Sequence, residues 1–227
     1  MRLLLIGVGS SARSCFNRLP DSNDWVKVFF LNNDSGLNSV RANHKFNYRE
    51  KSSFEGLDGG TTHAKGGMAK LNDPIVELVK ESSCAAVIII CFLGGEAAYG
   101  LPNLVNSIRV SGNPIYLVTS IPFAAAGKRK RSHFKECLDS IVDRLSGIYL
   151  LDLEEVYQYA LITAKEQNML NFLRFSDTIL LDFFGPFVSE LVKADQNGQY
   201  IFSYDYLESE LTFQKVPNFR GNLYGLL

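Results

Sequence analysis

The segment LLLIGVGSSARSCFNRLP, residues 3–20, determines the fold. Leu3 to Ile6 has the continuous apolar character of a buried strand, and a turn rich in glycine and serine follows it. Apolar residues recur at helical spacing after the turn, which predicts a short helix that ends at Pro20. A strand that passes through a glycine-rich turn into a helix is typical of an α/β sheet that binds ligands at the carboxyl ends of its strands.

Strand and helix alternate along the rest of the chain. Apolar runs predict further strands at Val26 to Leu31, Ala85 to Leu93, Ile115 to Thr119 and Ile148 to Leu151. Helical spacing predicts one helix that begins at Asp73, a second from Leu101 to Ile108, and a third from Phe134 to Leu145. Gly147 is expected to close the third helix. A fourth helix is predicted from Met169 to Lys193. This alternation predicts a Rossmann-like parallel sheet with helices on both faces.

The composition excludes several classes of protein. With 23 basic and 24 acidic residues among 227, the chain has no net field that would attract nucleic acid or an anionic membrane. The longest apolar run, Cys84 to Leu93, is too short for a transmembrane helix. The four cysteines form no Cys-x-x-Cys pair and the three histidines have no metal-ligand spacing. We therefore expect buried thiols in a reducing cytoplasm and no metal held by these side chains.

Glycine-rich loops follow two of the predicted strands, at residues 7–11 and 94–100. Backbone N–H groups at the start of a helix favour phosphate, so two such loops on one sheet predict a nucleotide site. A dinucleotide site is the alternative, because Gly7-Val8-Gly9 follows a strand and Asp34 lies where an acidic ribose ligand is expected. Ala12 stands at the third glycine position of that motif, so the motif alone does not decide between them.

The chain resembles the FtsZ/tubulin family in segments that follow one another in the family's order. Residues 7–19 resemble its opening loop and helix, 32–34 its Asn-Thr-Asp, 56–60 its Gly-Leu-Gly-Ala-Gly loop, 94–100 its signature loop, 118–127 its Val-Thr-x-Pro-Phe segment, 174–177 the start of its central helix, and 203–208 its Asn-x-Asp-x-x-Asp loop. The resemblance implies a fold of the tubulin/FtsZ GTPase-domain type, with GTP or GDP as cofactor and Mg²⁺ as an accompanying ion. It assigns residues 1–208 to a nucleotide-binding domain and 209–227 to a tail or the truncated start of a second domain.

The resemblance also implies which residues bind the nucleotide. They are Gly7, Gly9, Ser10, Ser11, Asn17, Asn32, Asp34, Gly59, Gly60, Gly94, Gly95, Gly100 and Asp177. Asn17 and Asp177 are the two that would hydrogen-bond the guanine edge. A carboxylate that accepts from a ring N–H and an exocyclic amine selects guanine over adenine, which lacks that pair of donors.

Catalysis is implied to involve two subunits, with Asp205 and Glu208 as its acidic residues. They would polarise the water that attacks the γ-phosphate in the next subunit of a head-to-tail filament. The protein implied by this resemblance is a cytoplasmic, cytoskeletal GTPase of cell division that assembles with itself or with another FtsZ-like protein.

Two departures from the family pattern keep other functions open. Glu96 to Tyr99 replaces the middle of the signature loop, and the carboxylate of Glu96 repels phosphate. Pro186 lies within the predicted central helix and is expected to kink or break it near Phe184. Three hypotheses remain: a filament-forming protein with weak GTP hydrolysis, a regulatory or structural relative that binds nucleotide without hydrolysis, and an NAD-dependent oxidoreductase.

Overall fold

An eight-stranded sheet organises the chain, which the computed structural model describes at residues 2–31, 34–48, 72–163, 169–193, 199–205 and 210–215. The strands are β1 (Leu3–Val8), β2 (Trp25–Leu31), β3 (His44–Asn47), β4 (Ala86–Cys91), β5 (Ile115–Ile121), β6 (Gly147–Asp152), β7 (Tyr200–Asp205) and β8 (Glu210–Lys215). The helices are α1 (Arg13–Arg18), α2 (Asp34–Asn38), α3 (Asn72–Ser82), α4 (Leu101–Arg109), α5 (Lys128–Ile141), α6 (Leu153–Thr163) and α7 (Met169–Lys193).

The strand order is β3-β2-β1-β4-β5-β6-β7-β8, and every neighbouring pair from β3 to β7 is parallel. Only β8 is antiparallel, and it pairs with β7 at the rim of the sheet. The parallel strands therefore end at one common edge, which we call the carboxyl edge. The strand order reverses between β1 and β4, which is the position where open α/β sheets bind ligands.

Helices cover both faces of the sheet. Successive side chains of each strand point in opposite directions, so each strand contributes to two cores. Leu4, Ile6 and Val8 of β1 belong to a core that α3, α4 and α5 complete. Leu3 and Leu5 belong to the opposite core, which contains residues of α1, α6 and α7. Burial on both faces explains why the central strands are continuous apolar runs, and it confirms the predicted parallel sheet with helices on both sides.

Gly147 was expected to close a helix, but it is the first residue of β6. A Cβ atom at this position would lie 2.9 Å from ring atoms of both Phe202 and Tyr116. Glycine is required there because two aromatic rings pack against the strand at this position. The prediction that Gly147 closes a helix is wrong, because the residue lies in β6. The preceding helix α5 instead ends at Ile141 and passes into a short 3₁₀ segment, Val142–Arg144.

The central helix α7 is continuous from Met169 to Lys193 and includes Pro186. The helix is therefore not broken near Phe184, and a kink at that place, the other expected outcome, stays a prediction. Phe183, Phe184 and Phe187 are all buried against the sheet, so packing on both sides of the proline holds the helix together. The carbonyl of Asp182 loses its helical N–H partner, which costs the helix roughly 3 kcal/mol.

The antiparallel pair of β7 and β8 forms the end of the sheet opposite β3. Its strands pair over six residues each, from Tyr200 opposite Lys215 to Asp205 opposite Glu210. The strand β8 therefore extends the sheet beside β7. The predicted domain boundary after residue 208 stays a prediction.

Candidate functional site

The loop after β1 lies at the carboxyl edge, at the point where the strand order reverses. Gly9 has a φ of +86°, and its N–H donates to the carbonyl of Phe30 over 2.9 Å. The exposed Ser10 and Ser11 then form a single 3₁₀ turn with the buried Ala12 before α1 begins. The two serine hydroxyls are therefore the groups of this loop that a ligand can reach, and the Gly9 N–H is already used by β2.

Gly7 lies within β1, below this loop, and serves a packing role. A Cβ atom on Gly7 would lie 2.4 Å from ring carbons of Phe29 and 2.8 Å from a ring carbon of Phe16. The rings of β2 and α1 fill the space where a side chain would stand. The predicted contact of Gly7 with a nucleotide stays a prediction, while packing alone is sufficient to require glycine there.

The loop after β4 is more compact than an open glycine loop. Gly94 adopts a φ of +98° and Gly95 is extended, and both precede a 3₁₀ segment, Glu96–Gly100, that continues directly into α4. Gly95 and Glu96 are exposed, whereas Gly100 is buried. Of the three glycines predicted to bind nucleotide in this loop, Gly94 and Gly95 lie where a ligand could approach, and Gly100 does not face solvent.

The loops after β1 and β4 touch each other. A Cβ atom on Gly9 would lie 2.8 Å from the Cβ atom of Ala97, so no side chain larger than hydrogen fits between them. Burial raises the pKa of Tyr48, and the negative charge of Glu96 contributes to the rise. At this edge the two loops thus carry the methyl group of Ala97 and the exposed carboxylate of Glu96, a residue that the sequence had already shown to depart from the glycine pattern.

A second part of the site lies where α1 meets α7. The Ser14 hydroxyl donates to the half-buried carboxylate of Asp177, and Arg18 is close enough to act on the same group. Burial raises the pKa of Asp177, while the Ser14 hydrogen bond and the Arg18 charge oppose the rise. Arg18 also donates to the hydroxyl of Thr178 over 3.2 Å. The pKa of the neighbouring Cys15 rises to about 12, first because it is buried and second because of the Asp177 charge.

Asn17, the other residue predicted to bind guanine, is engaged elsewhere. Its Nδ2 atom donates to the carbonyl of Ser39 over 2.9 Å, and its Oδ1 atom accepts from the N–H of Arg41 over 2.8 Å. Both polar atoms thus hold the connection between α2 and β3. Ser14, which was not among the predicted site residues, contacts Asp177. This contact was not predictable because it depends on how α1 packs against α7.

Some of the predicted site residues lie at the limits of the described ranges or outside them. Asp34 is the first residue of α2, which follows β2 at the carboxyl edge. Asn32, Gly59, Gly60 and Glu208 lie outside the described residues. The segment from Ser203 was expected to form an acidic loop, but the strand β7 continues to Asp205.

The position of β7 determines where Asp205 lies. Because β7 is parallel to β6, Asp205 ends its strand at the carboxyl edge, the same edge as Gly9 and Gly94. The catalytic role of Asp205 stays a prediction.

The loop after β5 completes the carboxyl edge and was only partly predicted. Glu154, near the start of α6, accepts the N–H of Ala124 through its Oε1 atom over 2.8 Å. Asp152 in turn accepts the N–H of Glu154 over 2.8 Å and caps α6. Burial, followed by the charge of Asp152, raises the pKa of Glu155. These acids fix the loop and add negative charge to the edge.

Among the described residues, no group of three or more His, Cys, Asp or Glu side chains is arranged to hold a metal ion. None of the described helices is both long enough and apolar enough to cross a membrane.

Solved structures with the same arrangement of strands and helices reveal the structural class. The chain matches an empty FtsZ dimer from M. jannaschii with a TM-score of 0.70 and 17% identity, over 91% of this chain and 58% of that one. It matches a GTPγS-bound protofilament of CetZ2 from Haloferax volcanii with a TM-score of 0.66 and 16% identity, over 90% and 67%. The chain has the FtsZ/tubulin fold.

A third structure with the FtsZ/tubulin fold, the tail-truncated TubZ of Clostridium botulinum phage c-st, matches with a TM-score of 0.59 and 18% identity, over 81% of this chain and 60% of that one. No protein-family model matches the sequence, and no curated protein matches it. The fold expected from the resemblance is confirmed. The chain spans 58% of the length of the FtsZ structure that it matches.

Proposed function

We propose that this protein binds a guanine nucleotide at the carboxyl edge of its FtsZ/tubulin fold and recognises chiefly the base. The observation that carries the proposal is the meeting of α1 and α7, which the hydrogen bond of 3.2 Å from Arg18 to the hydroxyl of Thr178 joins. It presents the half-buried carboxylate of Asp177 beside the loop that follows β1. An ionised carboxylate accepts two donors from guanine, and adenine offers no matching pair.

The residues fit a guanine base better than they fit a triphosphate. Residues 94–100 contain no Lys or Arg, and Glu96 adds a negative charge to that loop. Ala97 closes the gap to Gly9, where a phosphate-binding loop needs bare backbone. We therefore expect most of the binding energy to come from the base and the ribose.

Binding without hydrolysis is the activity that this geometry favours among the open hypotheses. Glu96 is exposed in the loop after β4 and Ala97 fills the space beside Gly9, so this edge offers little to hold a triphosphate for hydrolysis. A regulatory or structural relative that binds nucleotide explains the altered loop after β4 as well.

Self-association is the second part of the proposal. The matched FtsZ structure is a dimer and the matched CetZ2 structure is a protofilament. A head-to-tail contact of one fold repeated along an axis produces filaments. By analogy, we propose that this chain assembles with itself or with an FtsZ-like partner in the cytoplasm, in a cytoskeletal process such as cell division.

The identity of the bound nucleotide tests the proposal. The purified protein would be denatured, and the released small molecules separated and identified by chromatography and mass spectrometry. The proposal predicts a guanine nucleotide. Recovery of NAD would instead favour the oxidoreductase, and an adenine nucleotide would contradict recognition of the base by Asp177.

Phosphate release separates binding from hydrolysis. Release from GTP would be measured over a wide range of protein concentrations, with Asp205→Ala and Glu208→Ala as comparison variants. We predict no release above background at any concentration. A rate per molecule that rises with concentration and falls in the Asp205 variant would reinstate catalysis completed by a neighbouring subunit.

A further inference from the structure

The position of α1 depends on a few groups around it. This helix has only six residues, Arg13–Arg18, and a helix so short has no stability in isolation. Cys15 and Phe16 bury one of its faces in the core. The other anchors of α1 are hydrogen bonds made by the side chains of Asn17 and Arg18 and by the carbonyl of Leu19. These bonds lead in two directions, one towards α7 and one towards β3.

Asn17 joins α1 to the connection between α2 and β3, residues 39–43. Its Nδ2 atom donates to the carbonyl of Ser39 over 2.9 Å, and its Oδ1 atom accepts from the N–H of Arg41 over 2.8 Å. We call this pair of hydrogen bonds the Asn17 clamp. Because one amide group donates to and accepts from the same short segment, the clamp fixes both the distance and the orientation of that segment relative to α1.

The clamped segment leads directly into β3. The backbone N–H of Asn43 donates to the carbonyl of Lys27 over 2.8 Å, and the Oδ1 atom of Asn43 accepts from the N–H of Lys27 over 2.8 Å. The strand β3 then begins at His44 and pairs with β2 alone among the described strands. Lys27 also reaches back to α1, because its Nζ atom donates to the carbonyl of Leu19 over 3.0 Å. Hydrogen bonds thus link α1, the connection and β2 in a ring.

The opposite direction leads to the base end of the candidate site. Arg18, which follows Asn17 in sequence, donates to the hydroxyl of Thr178 on α7 over 3.2 Å. Thr178 in turn follows Asp177, whose carboxylate is the proposed acceptor for guanine. A helix of fewer than two turns moves as one body. A ligand that holds α1 against α7 therefore also holds the Asn17 side chain in place.

We propose that Asn17 is a positioning residue that couples guanine binding at the base end to the stability of β3. The inference rests on the proposed function, and in it Asn17 acts through Arg41 and not by touching the base. The strand β3 has four largely exposed residues and one described neighbour, so it opens locally more readily than the buried strands. A nucleotide that binds only when α1 is docked stabilises the groups bonded to α1 and suppresses this opening. By linkage, opening of the connection weakens nucleotide binding by the same factor.

Backbone amide hydrogen exchange, resolved by residue with NMR, tests the coupling with and without saturating GTP. The Arg41 amide is the direct reporter, because it donates to Asn17. GTP should slow exchange at Arg41 and in β3 by about fivefold or more in the parent protein, and by less than about twofold in Asn17→Ala. The matched control is Asn113→Ala, since Asn113 also holds a connection through its side chain, by donating to the carbonyl of Cys84. The control should keep the full slowing.

Affinities for GTP and ATP in the same proteins separate positioning from direct contact. Asn17→Ala should weaken both nucleotides by one common factor of about fivefold or more and leave their ratio unchanged. Loss of GTP affinity alone would overturn the proposal by assigning the base contact to Asn17. Asn17→Asp is the conservative variant, because it keeps the acceptor for Arg41 and loses the donor to Ser39. It should retain part of the slowing at Arg41, and an effect as large as that of Asn17→Ala at equal thermal stability would speak against the clamp.

The exchange pattern of the parent protein distinguishes failure of the coupling from failure of the proposed function. Slowing by GTP in α1 and α7, with no change at Arg41 or in β3, would overturn the coupling and leave guanine binding intact. Slowing at Arg41 that persists in Asn17→Ala, or that disappears equally in Asn113→Ala, would also overturn it. The absence of any slowing in α1 and α7 would contradict the proposed function, and the coupling with it.

Discussion

The two ends of the candidate site differ in how well they fit a guanine nucleotide. At the base end, α1 and α7 bring Ser14 and Arg18 to the half-buried carboxylate of Asp177. At the phosphate end, Ala97 closes on Gly9 and the Glu96 carboxylate is exposed. The base end offers a carboxylate acceptor that neighbouring side chains hold in place. The phosphate end lacks the exposed glycine backbone that binds phosphate.

The largest expected effect concerns the base end. Asp177→Asn should reduce the preference for GTP over ATP by about tenfold or more, because a hydrogen bond to a charged group contributes roughly 1.5–3 kcal/mol. Competition binding with a fluorescent guanine nucleotide would measure it. Asp182→Asn is the matched control, because Asp182 is an exposed acid of the same helix. Loss of preference in both variants would mean that the helix charge, and not the Asp177 contact, selects the base.

The next effect concerns the contact between the two loops. Gly9→Ala should destabilise the protein by about 2–4 kcal/mol, because it adds a side chain at positive φ and forces it against Ala97. Gly112→Ala is the control, since Gly112 has a φ of +76° and open space around it. The control should cost only about 1–2 kcal/mol of backbone strain. Urea unfolding would measure both, and equal losses would show that the loops are not in contact in solution.

A smaller effect should separate charge from backbone access at the phosphate end. Glu96→Gln removes the carboxylate, and Glu96→Gly also frees the backbone. We expect GTP to bind about threefold more tightly to the glutamine variant and more tightly still to the glycine variant, since an exposed charge contributes roughly 0.2–1 kcal/mol. Calorimetric titration would measure both. Unchanged affinity in both variants would mean that Glu96 does not face the phosphates.

The smallest effect is a pH dependence of stability. Burial raises the pKa of Asp177, so the folded protein holds this proton at pH values where the unfolded chain has already lost it. Stability should therefore fall as the pH rises from the unfolded pKa through the raised folded pKa. Asp177→Asn should remove that dependence and unfold at a higher denaturant concentration at neutral pH. A parent protein whose stability rises over this window would contradict the sign.

Long apolar elements were predictable from the sequence, and contacts between distant segments were not. The central strands are buried on both faces, so their apolar runs identify them without knowledge of their neighbours. By contrast, β3 is a short, largely exposed strand that forms because β2 offers hydrogen bonds from Val28 to Leu31. The helices α2 and α6 and the strand β8 were likewise not predicted. Such elements depend on partners that are remote in sequence.

The candidate site shows the same limit. The glycine-rich turns and Asp177 follow from local pattern and family resemblance. The contact of Ser14 with Asp177 does not, because it depends on how α1 packs against α7. The continuity of α7 across Pro186 depends in the same way on the aromatic side chains that pack around it. The direction of β7, which decides where Asp205 lies, depends on its pairing with β6.

The contrast between the two ends of the site is tested most directly by one series of calorimetric titrations. Guanosine, GMP, GDP, GTP and ATP would each be titrated into the purified full chain under the same conditions. We predict that GTP binds less than about tenfold more tightly than GMP and at least about tenfold more tightly than ATP. An affinity that rises by about a hundredfold or more from GMP to GTP, or an equal affinity for ATP and GTP, would contradict the account.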